Sequence, residues 1–327
     1  MMSIQKIARL AGVSVATVSR VLNNSDSVKD RNRQKVLQAI KESNYQPNLL
    51  ARQLRTARSS MILVMVSDIS NPFCAEVVKG IEEQAEKNGY RILLCNSGSD
   101  IERSRSSLQL LSGKMVDGII TMDAFSKLAE LSQLIGTAPW VQCAEYDDSG
   151  ETSCVGINDR VAAQQVVSYL AEQGRQRIGL INHDLSYNYA RLRQEGYLQQ
   201  LSEQRLSWQA IAYASELSFS AGQAAMNLLL QGETRPDAVF AVSDTLAAGA
   251  MAAIQQAGWR IPDDIAVVGF DGTDLAAMVS PPLTTLVQPS REIGRQACEL
   301  VLQKIARPDA APQRIIMTGE LILRASS

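Results

Sequence analysis

Ser14-Val15-Ala16-Thr17-Val18-Ser19-Arg20 is a stretch suited to reading bases rather than to breaking bonds. Small side chains at Val15 and Ala16 allow close approach to base edges and thymine methyls. Arg20 can pair bidentately with guanine O6 and N7, or take a phosphate. The alternative for the same stretch is a packing corner of a helical bundle. Chemistry of other kinds finds little support. The chain has one histidine, His183, and no Gly-x-Ser-x-Gly elbow, phosphate-binding loop or G-x-G-x-x-G fingerprint. Its five cysteines, Cys74, Cys95, Cys143, Cys154 and Cys298, are widely spaced without a C-x-x-C, which points to buried free thiols. The expectation is a binding protein, not an enzyme, with no cofactor and no metal.

The elements that must position the reading stretch lie on either side of it. Ile4, Ile7, Ala8 and Ala11 follow helical spacing, Gly12 breaks that helix, and Ser14 can cap the next one. The second helix would turn Val18, Val21 and Leu22 inward. It would leave Val15, Ala16, Thr17, Ser19 and Arg20 outward or near its start. Two short helices about a glycine turn make a helix-turn-helix, whose second helix enters the major groove. Val36, Leu37 and Ile40 predict a third helix, ended near Asn44–Asn48 because Pro47 disfavours helix before it. Leu49–Arg55 is short, basic and helix-prone, too short to be stable alone.

Charge is divided along the chain. Residues 1–60 hold eleven Lys and Arg against three acidic residues, a balance of +8, which leaves −10 on the rest of a chain whose total is −2. A small basic module beside an acidic body is the footprint of a phosphate-backbone binder. With 46% hydrophobic residues the body can bury a large core. No apolar run reaches the roughly 20 residues of a membrane span, and no secretory leader is evident, so a cytoplasmic location is expected.

From residue 61 strands alternate with helices. Ile62–Val66, Arg91–Cys95, Gly118–Met122, Trp140–Cys143 and Val155–Ile157 read as one strand series. Ile178–Ile181, Ile211–Tyr213, Ala238–Val242 and Ile265–Phe270 read as a second. Helical patterns intervene over Ala75–Asn88, Ser104–Leu111, Val161–Glu172, Leu192–Leu201, Ala221–Leu230 and Leu246–Ala257, with Gly89, Gly174 and Gly258 just past three of the ends. Two such series predict two doubly wound parallel sheets. Thr284–Pro289, a helix over Ile293–Ile305 and Leu321–Leu323 do not obviously continue the second. Ligands of such sheets bind beyond the carboxyl ends of the strands. This directs attention to Ser67–Phe73, Ser243-Asp244 and Asp271. For each there is a structural reading as well: Asn71 and Phe73 as loop-shaping residues, Asp244 as a helix N-cap, and Asp271 as a turn with Gly272.

The run Ile4–Asn23 and Tyr45-Gln46-Pro47-Asn48 resemble the headpiece of the lactose/galactose repressor family, with Val15-Ala16 similar to the pair of the galactose-repressor branch. The similarity continues over essentially the whole chain. It implies a DNA contact set of Ser14, Val15, Ala16, Thr17, Ser19, Arg20, Asn23, Asn48 and Leu54. Leu54 would sit on a hinge helix and wedge into the minor groove, where an unpartnered reading makes it a packing residue. The implied layout is an all-α headpiece over 1–46, a hinge over 47–60, and an α/β periplasmic-binding-protein-like core over 61–327. Lobe 1 would take about 61–159 and 289–319, and lobe 2 about 160–287 and 320–327.

The same resemblance implies an effector site of Asn71, Phe73, Glu145, Arg193, Ser243, Asp244, Asp271 and Gln288. Asn71-Pro72-Phe73 resembles the sugar-contacting loop of ribose-binding proteins. Arg193 matches an effector-gripping arginine, which on the residues alone could also be a surface helix residue. Ala144-Glu145 stands where sugar binders carry Asp or Asp-Arg and leans toward the cytidine-repressor branch. The aromatic lid position of lactose and purine repressors is Leu217, with Phe219 two residues on as a substitute. His183 could line the cleft or be an ordinary loop residue. The implied protein is a homodimeric repressor of a catabolic or uptake operon. Its partners would be pseudo-palindromic operator DNA and a small hydroxylated effector, sugar or nucleoside. No leucine-heptad tail for tetramers follows, and no membrane is involved. The competing class, a soluble sugar-binding protein, leaves the basic head unexplained.

Overall fold

The computed structural model describes residues 3–22, 27–43, 58–98, 100–123, 132–147 and 149–327. They form two compact units, 1–59 and 60–327.

In the first unit, α1 (Ile4–Ala11) starts at Ser3, whose Oγ accepts the Lys6 N–H at 3.4 Å, and stops at Gly12, left-handed at φ +63°. Helix α2 (Val15–Leu22) starts at Ser14, whose Oγ accepts the Thr17 N–H at 3.1 Å. Ile7, Ala8, Ala11, Val18 and Val21 pack with Val28 and with Val36 and Ala39 of α3 (Asp30–Ser43). Leu37, expected inward, is exposed. The inward spacing on α3 runs Val36-Ala39-Ile40, and the small Ala39 lets α3 pack against α1 and α2.

The second unit holds two six-stranded sheets. Lobe 1 is built on β1 (Met61–Val66), β2 (Arg91–Asn96), β3 (Gly118–Met122), β4 (Trp140–Cys143) and β5 (Ser153–Ile157). They stand in the order β2-β1-β3-β4-β5 and are followed by the late β11 (Arg314–Met317), all parallel. Its helices include α4 (Pro72–Lys87) and α5 (Ile101–Ser112). Lobe 2 contains α6 (Asp159–Glu172), β6 (Ile178–Asn182), α7 (Asn188–Glu203), β7 (Ala210–Tyr213), α8 (Phe219–Leu230), β8 (Ala238–Ala241), α9 (Asp244–Gln256), β9 (Ala266–Asp271) and α10 (Leu275–Met278). Its sheet runs β7-β6-β8-β9-β10-β12. Here β10 (Thr284–Val287) does continue the second sheet, parallel to β9, while β12 (Glu320–Ile322) returns antiparallel. The central strands are apolar on both faces, as sheets covered by helices on both sides require.

The chain passes between lobes three times: from β5 into α6, from β10 into α11 (Ser290–Ala306), and from β11 to β12. Gly319 makes the last crossing, and a Cβ there would lie 2.5 Å from Leu286 Cδ2.

Several helices begin two to four residues before the expected positions. Helix α4 starts at Pro72 because Asn71 Oδ1 accepts the Phe73 N–H at 3.0 Å and proline suits the first helical position. Helix α7 starts at Asn188, where its N-cap residue Tyr187 supplies no side-chain cap.

Candidate functional site

In the headpiece, the two apolar residues of α2 that are most buried, Val18 and Val21, fix which face is left outside. Ser14, Val15, Ala16 and Arg20 are exposed, and Thr17 and Ser19 half-buried. Val15 keeps 42% of its surface exposed although it is an aliphatic side chain, so it is free to meet a thymine methyl. Asn23, Asn48 and Leu54 lie outside the described residues.

The second unit contains a cavity of about 690 Å³ between the carboxyl ends of the two sheets, large enough for a small metabolite. Loop 67–71 after β1 brings Asn71, and the start of α4 brings Phe73. The turn after β4 brings Glu145, α7 brings Arg193, the end of β9 brings Asp271 and the end of β10 brings Gln288. All six line the cavity.

Arg193 is the best-fixed side chain of this wall. Its Nε donates to Asp159 Oδ1 at 2.8 Å, its Nη2 lies 2.8 Å from the same oxygen, and its Nη1 donates to the Val242 carbonyl at 2.6 Å. The guanidinium lies 3.6 Å from the Phe270 ring centroid and 4.8 Å from that of Tyr189. Planar stacking of this kind is a property of arginine that lysine lacks. Burial pushes the Asp159 carboxyl upward, and Arg193 pulls it back.

Asp271 accepts the Gln288 side-chain amide at 2.8 Å. Burial pushes its pKa up from 3.8 to about 8, against the pull of Arg193 and helped by the nearby Asp244 charge. Its backbone stands at φ +108°, a conformation that L side chains rarely adopt. Such a residue persists only where its surroundings over-determine it, and such residues cluster at binding sites.

Two expected residues do not line the cavity. Ser243 is the N-cap of α9, its Oγ accepting the Leu246 N–H at 3.2 Å. Asp244 follows the cap and is fully buried. One oxygen accepts Thr285 Oγ1 at 2.6 Å; the other accepts the Thr273 N–H at 2.7 Å and Thr273 Oγ1 at 2.9 Å. It knits α9 to β10 and to the turn after β9, so the cap reading belongs to Ser243, one residue earlier.

Phe219 is half-exposed at the start of α8 and does not line the cavity, whereas Leu217 does. The aromatic wall is instead Tyr187 and Tyr189, with rings 5.4 Å apart, beside His183. His183 Nδ1 lies 2.6 Å from the Tyr189 hydroxyl, and burial lowers its pKa, keeping the imidazole neutral near pH 7. Sequence reasoning missed both tyrosines. Tyr187 is the N-cap residue of α7 and Tyr189 lies in its first turn, whereas the periodicity starts the helix at Leu192. Their signal was position, five to seven residues past the end of strand Ile178–Asn182.

Glu145 differs from the others in what it touches. Its carboxylate accepts the Asn188 N–H at 2.5 Å and the Tyr189 N–H at 3.3 Å, the free donors at the start of α7. Asn188 answers by donating from Nδ2 to the Tyr146 carbonyl at 2.8 Å. A lobe 1 side chain thus caps a lobe 2 helix. Ala144, just before it, is left-handed at φ +63°. Cys74 also lines the cavity, with its thiol pushed up to about 12 by burial, which removes it as a nucleophile. Among the described residues no group of three His, Cys, Asp or Glu could hold a metal, and no helix is long and apolar enough to cross a membrane. The arrangement offers hydrogen bonds and ring faces to a ligand.

Comparison with known proteins finds relatives of both parts of the chain. Residues 3–48 match bacterial regulatory proteins of the lacI family, and residues 167–327 match the periplasmic binding protein-like domain. The ribose operon repressor of Haemophilus influenzae is 35% identical over 330 residues, covering 100% of this chain and 98% of that protein. The lac repressor dimer bound to operator and the anti-inducer ONPF superposes with a TM-score of 0.91 at 27% identity, covering 99% of this chain and 98% of that one. A LacI family transcriptional regulator from Enterococcus faecium with bound ribose has a TM-score of 0.73 at 26% identity, covering 82% of this chain and 98% of that one. A helix-turn-helix head, a two-lobed ligand-binding core and full-length similarity to repressors converge on one assignment: the chain belongs to the lacI family of bacterial regulatory proteins, DNA-binding repressors under the control of a small-molecule effector.

Proposed function

We propose that this repressor works in the cytoplasm as a homodimer whose effector is a pentose-class, polyhydroxylated molecule held between Arg193, Asp271 and Gln288 on lobe 2 and Asn71 and Phe73 on lobe 1. The observation that carries the reading is the Asp271 carboxylate. It is buried, held in a rare backbone conformation and aimed into the cavity beside a fixed guanidinium. A carboxyl group and an amide side by side take up sugar hydroxyls in directed hydrogen bonds, and ring faces cover the apolar side of the sugar. The names of the Haemophilus relative and of the Enterococcus structure support ribose as the first candidate.

On the DNA side, α2 would enter the major groove with Ser14, Val15, Ala16, Thr17, Ser19 and Arg20 at the bases and phosphates. Two-fold symmetry then calls for a pseudo-palindromic operator. Asn23, Asn48 and Leu54 complete the proposed contact set. Closure of the lobes on the effector would be coupled to operator affinity through the hinge.

The test is calorimetric titration of the full chain with pentoses, hexoses and nucleosides, alongside operator binding. Ribose should bind the wild type. Asp271→Ala should keep operator affinity and lose the effector response, and a response that survives overturns the cleft assignment. Arg20→Ala should reduce discrimination between operator and random duplex, with a direct guanine contact accounting for about 1–3 kcal/mol.

A further inference from the structure

The start of a helix attracts anions, because its free N–H groups and the helix dipole point at the same place. Two helix starts border the effector cavity, those of α4 and α7. Both are already occupied by the protein. Asn71 Oδ1 holds the Phe73 N–H, and the Glu145 carboxylate spans the Asn188 and Tyr189 N–H groups in the two-oxygen manner of a bound anion. That carboxylate comes from the opposite lobe and is 4% exposed.

The charges around the cavity run the same way. Among the described residues it is lined by the acids Asp68, Glu145, Asp184 and Glu216, and by Asp271 holding its proton to about pH 8, against a single cation, Arg193. Arg193 is already neutralised by Asp159. A phosphate ester brings between about −1.5 and −2 charges and would meet no uncommitted cation among the described residues of the lining.

We propose that Glu145 excludes phosphorylated effectors, by filling with its own carboxylate the anion seat at the start of α7, so that the effector is an unphosphorylated molecule without negative charge. The proposal rests on the reading of the cavity as the effector site, and it makes Glu145 a specificity-determining residue rather than a direct ligand contact. It also gives Ala144-Glu145 a physical meaning that a nucleoside preference does not: the acid serves the helix start, not a base.

The first experiment needs no effector. Full-length wild type and Glu145→Ala are melted in sodium phosphate and in sodium chloride of equal ionic strength. The variant vacates the seat, so phosphate should raise its melting temperature specifically, restoring part of what the substitution removed. Wild type should show no phosphate-specific gain. Equal behaviour of the two proteins overturns the proposal whether or not ribose binds. The second experiment uses Glu145→Gln, which keeps the shape and one acceptor. Wild type should bind ribose at least about 100-fold more tightly than ribose 5-phosphate, the size expected of an unpaired like-charge contact. Glu145→Gln should narrow that ratio at least about tenfold. Comparable affinities in wild type, or an unchanged ratio in the variant, refute it. Failure of ribose to bind with phosphate rescue intact would remove the pentose reading and leave the exclusion standing.

Discussion

Lobe 1 runs β2-β1-β3-β4-β5-β11 and lobe 2 runs β7-β6-β8-β9-β10-β12, so strand for strand the two sheets follow one plan until the final pair. The fourth strand of each plan, β4 and β9, delivers a left-handed non-glycine residue to the cleft: Ala144 at φ +63° and Asp271 at φ +108°. From these equivalent corners the lobes diverge. Lobe 1 presents side chains spent on helix starts, Asn71 on α4 and Glu145 on α7. Lobe 2 presents the buried ion pair of Arg193 and Asp159 beside the Asp271 carboxyl, faced by aromatic rings. One fold thus carries two kinds of wall. The lobe 1 wall shapes and screens the cavity; the lobe 2 wall holds charge whose removal is costly.

The largest expected effect follows from that contrast. Arg193→Ala leaves Asp159 buried without its partner and should destabilise the protein by about 3–5 kcal/mol. Asn71→Ala loses one cap and should cost about 1 kcal/mol. Urea unfolding of the full chain, followed on the core transition, measures both. Similar losses from the two substitutions would erase the distinction between the walls.

Asp271 sharpens the comparison through pH. In the ligand-free protein its proton is held until about pH 8, while the unfolded chain releases it near pH 3.8. Between those values the native state binds the extra proton, so stability is full below about pH 4 and is lost as pH rises through 8. Asp271→Asn removes this dependence. The gap between variant and wild type should therefore widen toward pH 8, with a slope of up to about 1.4 kcal/mol per pH unit, and then level off. Melting both proteins across that range would show it, and parallel profiles would mean that Asp271 is ionised throughout.

How much of this was legible depends on whether a feature is decided locally. Strands such as Ile62–Val66 and Ile178–Ile181 were readable, because burial on both faces demands an unbroken apolar run. The headpiece turn was readable because Gly12 and Ser14 act on their own neighbours. Helix α7 was not, since its first turn is capped by Glu145, 43 residues away in sequence, which hides the start at Asn188 and with it the place of Tyr189. Ser243-Asp244 offered two capping residues in succession, and only the backbone decided that Ser243 takes the cap. Phe219, two residues past Leu217, does not supply the aromatic lid, because it opens α8 and is turned outward. Cleft residues that match by position, such as Arg193 and Gln288, came from resemblance; no periodicity marks them.

The smallest expected effect tests the corner itself. Ala144 has no side chain beyond Cβ, and its left-handed backbone costs roughly 1–2 kcal/mol against a right-handed conformation, while its N–H hydrogen bond to the Val155 carbonyl at 2.8 Å needs no side chain. Glycine would remove that cost but would free the unfolded chain, at about 0.4–1 kcal/mol. Ala144→Gly should therefore stabilise the protein by about 0.5–1 kcal/mol and leave effector binding unchanged, because Glu145 keeps its hold on α7. The equivalent corner in lobe 2 admits no such exchange: its strain holds the Asp271 carboxylate in the cavity, and glycine there would remove the group along with the strain. A loss of stability on Ala144→Gly, measured by the same urea titration, would show that the lobe 1 corner is held for a reason other than the direction it gives Glu145.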